Sequence, residues 1–391
     1  MKRCLSALED YCVENSLMVN RSKSKIMVFR NGGRLNNYCE FTFDQGPVEI
    51  CSSYKYLGVV FTPSGGFRAA AEASVVSSNF AASGVRALIT KSGMDSSGSR
   101  STMFKAMVES VLLYGSEIWG LLQEDILERV QVRFMKSLYY LHSSTPGYVI
   151  RLEFGLKKLI LDVFCRALRW FLKMEDMDGD RFPRLCLNRQ REMLSAESAQ
   201  FTWLNQLKGL FVRSDSTDLW EVLLNGNFQR VDYDRAVQRL SDWLMSQDLS
   251  HARHSSHCVL YRQVIDQERG VFVLSPRSLN ASRTYYQLLC HNKFQSIFAL
   301  GQSHKFACEE RCFLCNSGER DTILHFLFGC PAVAGFKPDL VRDACGSFSG
   351  SQLHCLASVL RTESVWVVDG MLKFVRDALR FRHFVRECMG E

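Results

Sequence analysis

The stretch SYKYLGVVFTPSGGFRAAAEASVVSSNF, residues 53–80, changes its structural period halfway along and decides the fold class. Its first part, residues 53–61, is rich in aromatic and β-branched side chains, which favour a β-strand. Residues 63–66, Pro-Ser-Gly-Gly, then supply a turn. From residue 69 to residue 88 the chain is alanine-rich, and its apolar positions recur at helical spacing. The sequence therefore predicts a sheet before this turn and helices after it.

The flanking segments extend both halves of this pattern. Short apolar runs at 17–19 and 25–29, an alternating stretch at 39–43 and a turn at 44–47 predict a small antiparallel sheet over residues 17–62. Residues 1–12 are predicted to be helical. Helices are also predicted at 102–122, 125–141, 159–174 and 371–389, and residues 176–300 are predicted to be mostly helical. The predicted fold class is α+β, mainly α, with a small N-terminal antiparallel β-sheet, a helical bundle and a short module that contains the cysteines and histidine at 312–330.

Composition limits the function classes. The chain has 391 residues, of which 47% are hydrophobic and 23% charged, so it is a folded protein with room for several domains. Forty-eight Lys and Arg against 41 Asp and Glu give a net charge of +7, which permits an anionic partner. The 15 cysteines have no framework spacing and follow no signal peptide, which predicts a reducing compartment, nuclear or cytoplasmic. The best apolar stretch, 106–122, contains Glu109 and Glu117, so no membrane partner is expected.

One cluster has the spacing of a metal site. Cys312 and Cys315 are separated by two residues, and His325 and Cys330 follow within one short segment. Zinc favours a tetrahedron of thiolates and imidazole, and a two-residue gap allows both cysteines of a tight turn to face one ion. Cys308 is an alternative ligand with a less regular spacing. The competing interpretation is four unrelated residues in a cysteine-rich chain.

Other candidate groups are weaker. The sequence contains no Asp-Asp pair, and its adjacent acids, Glu9-Asp10, Glu124-Asp125 and Glu175-Asp176, are predicted to be solvated helix charges. His251, His254 and His257 recur every third residue in a serine-rich stretch. We interpret these histidines as a solvated loop or frayed helix, because they lack the further ligands of a complete zinc site.

Basic residues concentrate in two places. Residues 16–39 contain five cations and no acid, Lys23 and Lys25 among them, and Tyr56 lies just beyond as an aromatic side chain on which a base can stack. In the last predicted helix, Lys373, Arg376 and Arg380 share one face, with further cations at 382, 383 and 386. Each group suits nucleic-acid binding, and the alternative is an ordinary solvated surface.

Taken in order, several motifs resemble reverse transcriptases of non-LTR (LINE-type) retrotransposons. Residues 11–30, YCVENSLMVNRSKSKIMVFR, resemble the segment that follows the catalytic Asp-Asp motif in that family. Residues 54–59, YKYLGV, are similar to the primer-grip hairpin, and residues 112–120, LLYGSEIWG, to the thumb-helix signature. Residues 153–156, EFGL, match a weaker motif, and the cluster at 312–330 is similar to the family's zinc knuckle.

The resemblance implies a domain order and a set of partners. The implied units are a palm tail with a primer-grip-like hairpin (1–65), a thumb-like helical domain (66–175), a helical connector (176–305), a CCHC zinc knuckle (306–335) and a basic C-terminal segment (336–391). Zinc would be the cofactor, and RNA, DNA or an RNA–DNA hybrid the partner, with no small-molecule substrate. The expected nucleic-acid contacts are Lys23, Lys25, Tyr56, Arg376 and Arg380.

The family's catalytic aspartates would lie upstream of Met1 and are not in this sequence. Lys23 falls where the family has a palm lysine that acts on pyrophosphate, a role that requires those aspartates. The resemblance therefore implies a nucleic-acid-binding remnant without polymerase activity of its own. Two alternatives stay open: a zinc-stabilised helical interaction protein with no nucleic-acid role, and a restriction-like endonuclease tail. The second rests on Pro338-Asp339, which no Asp/Glu-x-Lys element follows.

Overall fold

The fold is that of a computed structural model, which describes residues 1–30, 33, 40–44, 46–194, 201–266, 278–290, 295–346 and 350–389. Helices dominate, as the sequence predicts. They are α1 (Lys2–Glu14), α2 (Arg68–Ser92), α3 (Ser97–Phe104), α4 (Ser110–Leu112), α5 (Ser116–Trp119), α6 (Glu124–Tyr139), α7 (Gly147–Phe154), α8 (Leu159–Glu175), α9 (Phe182–Met193), α10 (Trp203–Arg213), α11 (Thr217–Leu224), α12 (Arg230–Arg253), α13 (Val259–Val264), α14 (Leu279–Leu289), α15 (Asp339–Gly346), α16 (Gln352–Arg361) and α17 (Val365–Met389). The described residues also contain two π-helical turns, Lys105–Glu109 and His325–Gly329, and a 3₁₀ helix, Pro331–Phe336.

The N-terminal β-structure is present as two separate hairpins. Strands β1 (Thr42–Phe43) and β2 (Gly46–Pro47) form one antiparallel pair, and β3 (Tyr54–Tyr56) and β4 (Val59–Phe61) form the other. The predicted small N-terminal antiparallel β-structure is confirmed, but it covers less of residues 17–62 than predicted, because 17–19 and 25–29 are not strands. Only Ile26 bridges to Ile50, in parallel. Of the predicted strand at 39–43, residue 39 lies outside the described residues.

The β3–β4 hairpin is fixed by its turn and by a close contact. Leu57 and Gly58 both have positive φ, +46° and +86°, as a two-residue hairpin turn requires. A Cβ on Gly58 would lie 3.0 Å from the Tyr114 ring, and one on Gly115 would lie 3.4 Å from Val59. The hairpin therefore packs against the chain around Gly115, so two segments distant in sequence become neighbours.

The predicted helix at 102–122 is interrupted. It is divided into α3, a π-helical turn, α4 and α5, and the main break is at Gly115, whose φ of +68° is left-handed. Trp119 closes this break, since its Nε1 donates to the carbonyl oxygen of Tyr114 at 3.0 Å. Glycine tolerates this backbone without the steric cost that a side chain would add.

The central helices bury apolar stripes against one another. Helix α2 packs on α6, and α8 packs on α5 and α6. Aromatic pairs join further helices to this core: the ring centres of Phe104 on α3 and Phe134 on α6 are 4.8 Å apart, and those of Phe164 on α8 and Phe211 on α10 are 5.2 Å apart. All four rings are buried, and burial of a large side chain of this kind contributes roughly 1.5–3 kcal/mol.

The predicted helical connector, 176–305, ends in a hairpin that the sequence analysis did not predict. Strands β5 (Ser296–Ala299) and β6 (Gln302–Lys305) pair antiparallel around a turn at Leu300 and Gly301. Only Ile297 and His304 are buried on these strands, so the alternation of polar and apolar residues is too weak to predict them. The hairpin packs on α14 and precedes the predicted zinc module.

Candidate metal centre

The structure brings the four predicted metal ligands together. The Sγ atoms of Cys312 and Cys330 are 4.0 Å apart, and Cys315 Sγ lies 3.3 Å from His325 Nε2. All four ligand atoms lie within 4.8 Å of one another. Zinc–sulfur bonds of about 2.3 Å arranged tetrahedrally would place sulfur atoms about 3.8 Å apart, close to the separation observed. The donor set and the geometry are therefore those of a four-coordinate metal site.

A short β-type turn positions the first two ligands. Arg311 and Arg320 form an antiparallel bridge, and the N–H of Cys312 donates to the carbonyl oxygen of Glu319 at 2.9 Å. Gly318 has a φ of +76°, which lets the chain reverse between these residues. Cys312 and Cys315 therefore lie on one compact loop and face the same point.

The second pair of ligands is held by the π-helical turn. The N–H of His325 donates to Thr322 Oγ1 at 3.1 Å, and the N–H of Cys330 donates to the His325 carbonyl oxygen at 2.7 Å. A Cβ on Gly329 would lie 3.0 Å from His325 Nδ1, so the backbone passes close to the imidazole at this point. His325 consequently directs Nε2 at the thiols.

Local chemistry sets the protonation of the thiols. Burial raises the pKa of Cys312 to about 12 and also raises that of Cys330. Burial acts in the same direction on Cys315, but hydrogen bonds from Ser317 and His325 outweigh it and lower that pKa to about 6. One thiolate is thus favoured by the protein alone, whereas the other two require a cation to stabilise them.

The module is attached to the rest of the protein through a buried arginine. Arg382 on α17 donates to both oxygens of Asp321, at 2.9 and 2.6 Å, and to the carbonyl oxygen of Lys305 at 3.0 Å. Its guanidinium lies 4.5 Å from the centre of the Phe313 ring and 4.4 Å from that of Phe306. Arg382 was expected to support a basic face, and this expectation is wrong because its side chain is only 2% exposed.

The predicted nucleic-acid contacts differ in their surroundings. Lys23 and Tyr56 are exposed near the β3–β4 hairpin, and Tyr54 Oη donates to the Lys23 carbonyl oxygen at 2.9 Å. Lys25 forms an ion pair with Glu49, which offsets its charge. Arg376 and Arg380 are exposed on α17, where Arg380 contacts Asp377 at 3.3 Å. The structure does not bring the N-terminal and C-terminal contacts into one cluster with the metal ligands.

Several other candidates have structural explanations. The three histidines at 251, 254 and 257 are exposed, and among the described residues they form no metal-ligand set. Cys308 is outside the metal cluster and contacts the Phe306 carbonyl oxygen. Asp339 is 87% exposed and pairs with Arg342 at the start of α15.

Two of the predicted solvated acids are in fact mostly buried ion-pair partners. Glu124 binds Lys158 and Arg213, and Glu175 binds Arg184 and Arg191. The interpretation of these two acids as solvated charges is therefore wrong. Reading along the sequence alone does not reveal such partners, because most of them lie on other helices.

Sequence reasoning also missed buried ion pairs that hold the helices together. Arg361 on α16 binds Glu153 on α7 at 2.7 Å, and Arg151 binds Asp248 on α12 at 2.6 Å. Phe154, next to Glu153, packs between Tyr139 and Tyr286. The EFGL motif therefore has a structural role in joining helices.

Comparisons of the chain with protein-family models, curated proteins and solved structures find no match. In the described part of the chain, none of the helices has both the length and the apolar character needed to span a bilayer. All 14 cysteines within the described residues are free thiols.

Proposed function

We propose that this chain is a zinc-stabilised, nucleic-acid-binding segment related to non-LTR reverse transcriptases, with RNA, DNA or their hybrid as partner. The observation that carries the proposal is the closed cluster of Cys312, Cys315, His325 and Cys330. Its spacing and order resemble the family's zinc knuckle, and the other motifs precede it in the family's order. A net charge of +7 is consistent with an anionic partner.

Zinc is the metal that this donor set favours. Three thiols and one imidazole exclude calcium and magnesium, which prefer oxygen ligands. Because the protein supplies four ligands, a bound ion would have no open position for a substrate or water, so its role would be structural. It would hold the loop at 312–315 against the turn at 325–330.

A second observation supports the family relationship. The hairpin that resembles a primer grip packs on the segment that resembles the thumb signature, through Gly58 against Tyr114 and Gly115 against Val59. Nothing in either motif alone requires this contact. Both motifs belong to the same resemblance, and the two segments that carry them are neighbours in this fold.

Polymerase activity by this chain alone is not part of the proposal. Phosphoryl transfer needs carboxylates that hold metal ions across the attacking and leaving oxygens, and the sequence has no Asp-Asp pair. The purified chain, given primer-template, magnesium or manganese and all four dNTPs, should give no extension above a blank. Template-dependent extension would overturn this part of the proposal.

The binding function is tested by a salt titration of the purified full chain with labelled single-stranded RNA, DNA and a hybrid duplex. Phosphate contacts release counterions, so log K should fall linearly with log salt concentration. The alternative, a zinc-stabilised interaction protein, predicts no salt-dependent nucleic-acid binding. A flat titration with all three probes would favour that alternative and contradict the proposal.

A further inference from the structure

Three depressions adjoin one another along α6, each sharing lining residues with the next, and together they are called the groove. The largest, about 670 Å³, lies between α6 and the β5–β6 hairpin. It shares Tyr140 and Phe298 with a second depression of about 380 Å³ beside α17. It shares Arg129 and Arg133 with a third, of about 330 Å³, between α6 and α2. From Arg129 to Tyr140, the α6 edge alone runs about 17 Å at the usual helical rise.

The two larger depressions are lined by positive charge. Six cations from α6, α14 and α17 line them: Arg129, Arg133, Lys136, Arg283, Arg376 and Arg380. Within the described part of the chain, neither depression is lined by a carboxylate. A concave surface with one sign of charge concentrates the field and attracts ions of the opposite sign.

The protein leaves most of this charge uncompensated. Lys136 Nζ donates to the Ser143 carbonyl oxygen at 2.7 Å, and Arg283 Nε donates to that of Leu138 at 2.9 Å. These acceptors are neutral. Among the six cations, Arg380 alone has a carboxylate of a described residue within ion-pair distance. Burial lowers the pKa of Lys136 and of Arg283, so an added anion would stabilise their charged forms.

Aromatic side chains stand where the two larger depressions meet. The ring centres of Tyr140 and Phe298 are 4.5 Å apart, and the Arg283 guanidinium lies 3.9 Å from the centre of the Tyr140 ring. Tyr140 is 39% exposed. Proteins that bind single-stranded nucleic acid combine a positively charged groove with aromatic side chains. The phosphates contact the cations, and the bases stack on the aromatic rings.

We propose that this groove, from Arg129 to Arg380 by way of Tyr140, binds a single-stranded nucleic acid. The inference rests on the proposed function and gives it a location. The extended path favours a chain of phosphates over a single small anion, and the aromatic junction favours nucleic acid over an acidic peptide.

The test is a salt titration of the full zinc-loaded chain with a labelled oligouridylate. Two double variants remove pairs of groove cations. One is Arg129→Gln with Arg133→Gln, and the other is Arg376→Gln with Arg380→Gln. Each should reduce the steepness of log K against log salt by about 1.4, at roughly 0.7 per lost phosphate contact. Tyr140→Leu should weaken binding about five- to one-hundred-fold with little change in slope.

The matched control is Arg230→Gln with Arg235→Gln on α12, which removes the same charge outside the groove and should leave the slope unchanged. If the wild type binds but both groove variants match this control, the groove assignment is wrong and the proposed function stands. If the wild type shows no salt-dependent binding, the proposed function itself fails. If polyglutamate of equal charge displaces the oligouridylate as well as unlabelled oligouridylate does, the occupant is an acidic protein segment, and the nucleic-acid assignment is overturned.

Discussion

Helix α17 contributes arginines both to the metal module, residues 306–335, and to the groove. The arginine beside the module is buried and paired, whereas those along the groove are exposed. Beside the module, Arg382 is buried and binds both oxygens of Asp321. Along the groove, Arg376 and Arg380 of the same helix are exposed, and only Arg380 contacts a carboxylate among the described residues. Arg380 lies two residues and Arg376 six residues before Arg382, so one helix carries a charge used for folding on one face and charges available to a partner on another.

This difference follows from the cost of desolvation. A buried ion must be neutralised by a partner and by hydrogen bonds, whereas an exposed ion is stabilised by water until another anion replaces that water. Substitutions near the module should therefore change stability and metal content. Substitutions along the groove should instead change binding and its salt dependence.

The largest effect is expected at the metal ligands. Cys315→Ser or His325→Ala should reduce zinc from one ion per chain to near zero and destabilise residues 306–335, because metal binding supplies folding energy to small modules. Metal analysis and thermal unfolding of purified protein measure this. Cys308→Ser, a nearby thiol outside the cluster, is the control and should retain zinc. Full zinc occupancy in the ligand variants would mean that the ligands are assigned incorrectly.

The next largest effect is expected at the buried ion pair. Arg382→Met leaves Asp321 as an unpaired buried charge and should lower the free energy of unfolding by about 3–5 kcal/mol. Adding Asp321→Asn should restore part of this loss. Arg380→Met, whose side chain is 66% exposed, should change stability by less than about 0.5 kcal/mol. Chemical denaturation measures both effects. If Arg382→Met and Arg380→Met were equally stable, the buried and the exposed face of α17 would not differ in their contribution to folding.

A smaller effect is expected at the N-terminal cations. Lys23→Ala should lower the salt slope of nucleic-acid binding by about 0.7 if Lys23 meets a phosphate. Lys25→Ala should change it less, because Glu49 already offsets the Lys25 charge. Their double variant should therefore lower the slope less than either groove pair does. If this double variant reduced the salt slope more than the groove variants do, the main nucleic-acid interface would lie at the N-terminal hairpins and not in the groove.

The smallest effect is expected at Glu109, a partly buried acid whose burial is not offset by its nearby cations. Burial, assisted by Asp162, raises the pKa of Glu109 from 4.5 to about 7. The folded state keeps this proton above pH 4.5 whereas the unfolded state loses it, so the Glu109 contribution to stability falls as pH rises from 4.5 to 7. Glu109→Gln should therefore be more stable than wild type at pH 8, by about 1 kcal/mol after solvent screening, and nearly equal at pH 4.

Thermal unfolding at these two pH values measures the Glu109 effect. Glu221→Gln, which removes an exposed carboxylate on α11, is the control for the loss of one negative charge. An unchanged pH dependence in Glu109→Gln would show that the Glu109 carboxyl does not couple to folding.

The metal cluster could be predicted because its four ligands lie within 19 residues of one another and their spacing has a geometric meaning. The mainly helical fold could be predicted for the same reason, since helical periodicity is local. The groove could not, because Arg129, Arg283 and Arg376 belong to three distant helices and are neighbours only after packing. Arg376 could be predicted as a contact from the basic face of its own helix, whereas Arg129 and Arg283 look like ordinary surface cations in the sequence.

The same reasoning explains the errors. The buried role of Arg382 depends on Asp321, which lies 61 residues earlier in the chain. The break at Gly115 lies where the β3–β4 hairpin packs against the chain, a contact between segments distant in sequence. Long-range pairing decided each of these features, and residue pattern carries little information about it.

Photo-crosslinking tests the central claim most directly. The zinc-loaded full chain, bound to a single-stranded RNA that contains 4-thiouridine, is irradiated, digested and mapped by mass spectrometry. The account predicts crosslinks in the peptides that contain Tyr140 and Phe298, and their loss in Tyr140→Leu. Crosslinks confined to residues 17–61 or to residues 306–335, with none along the groove, would contradict it.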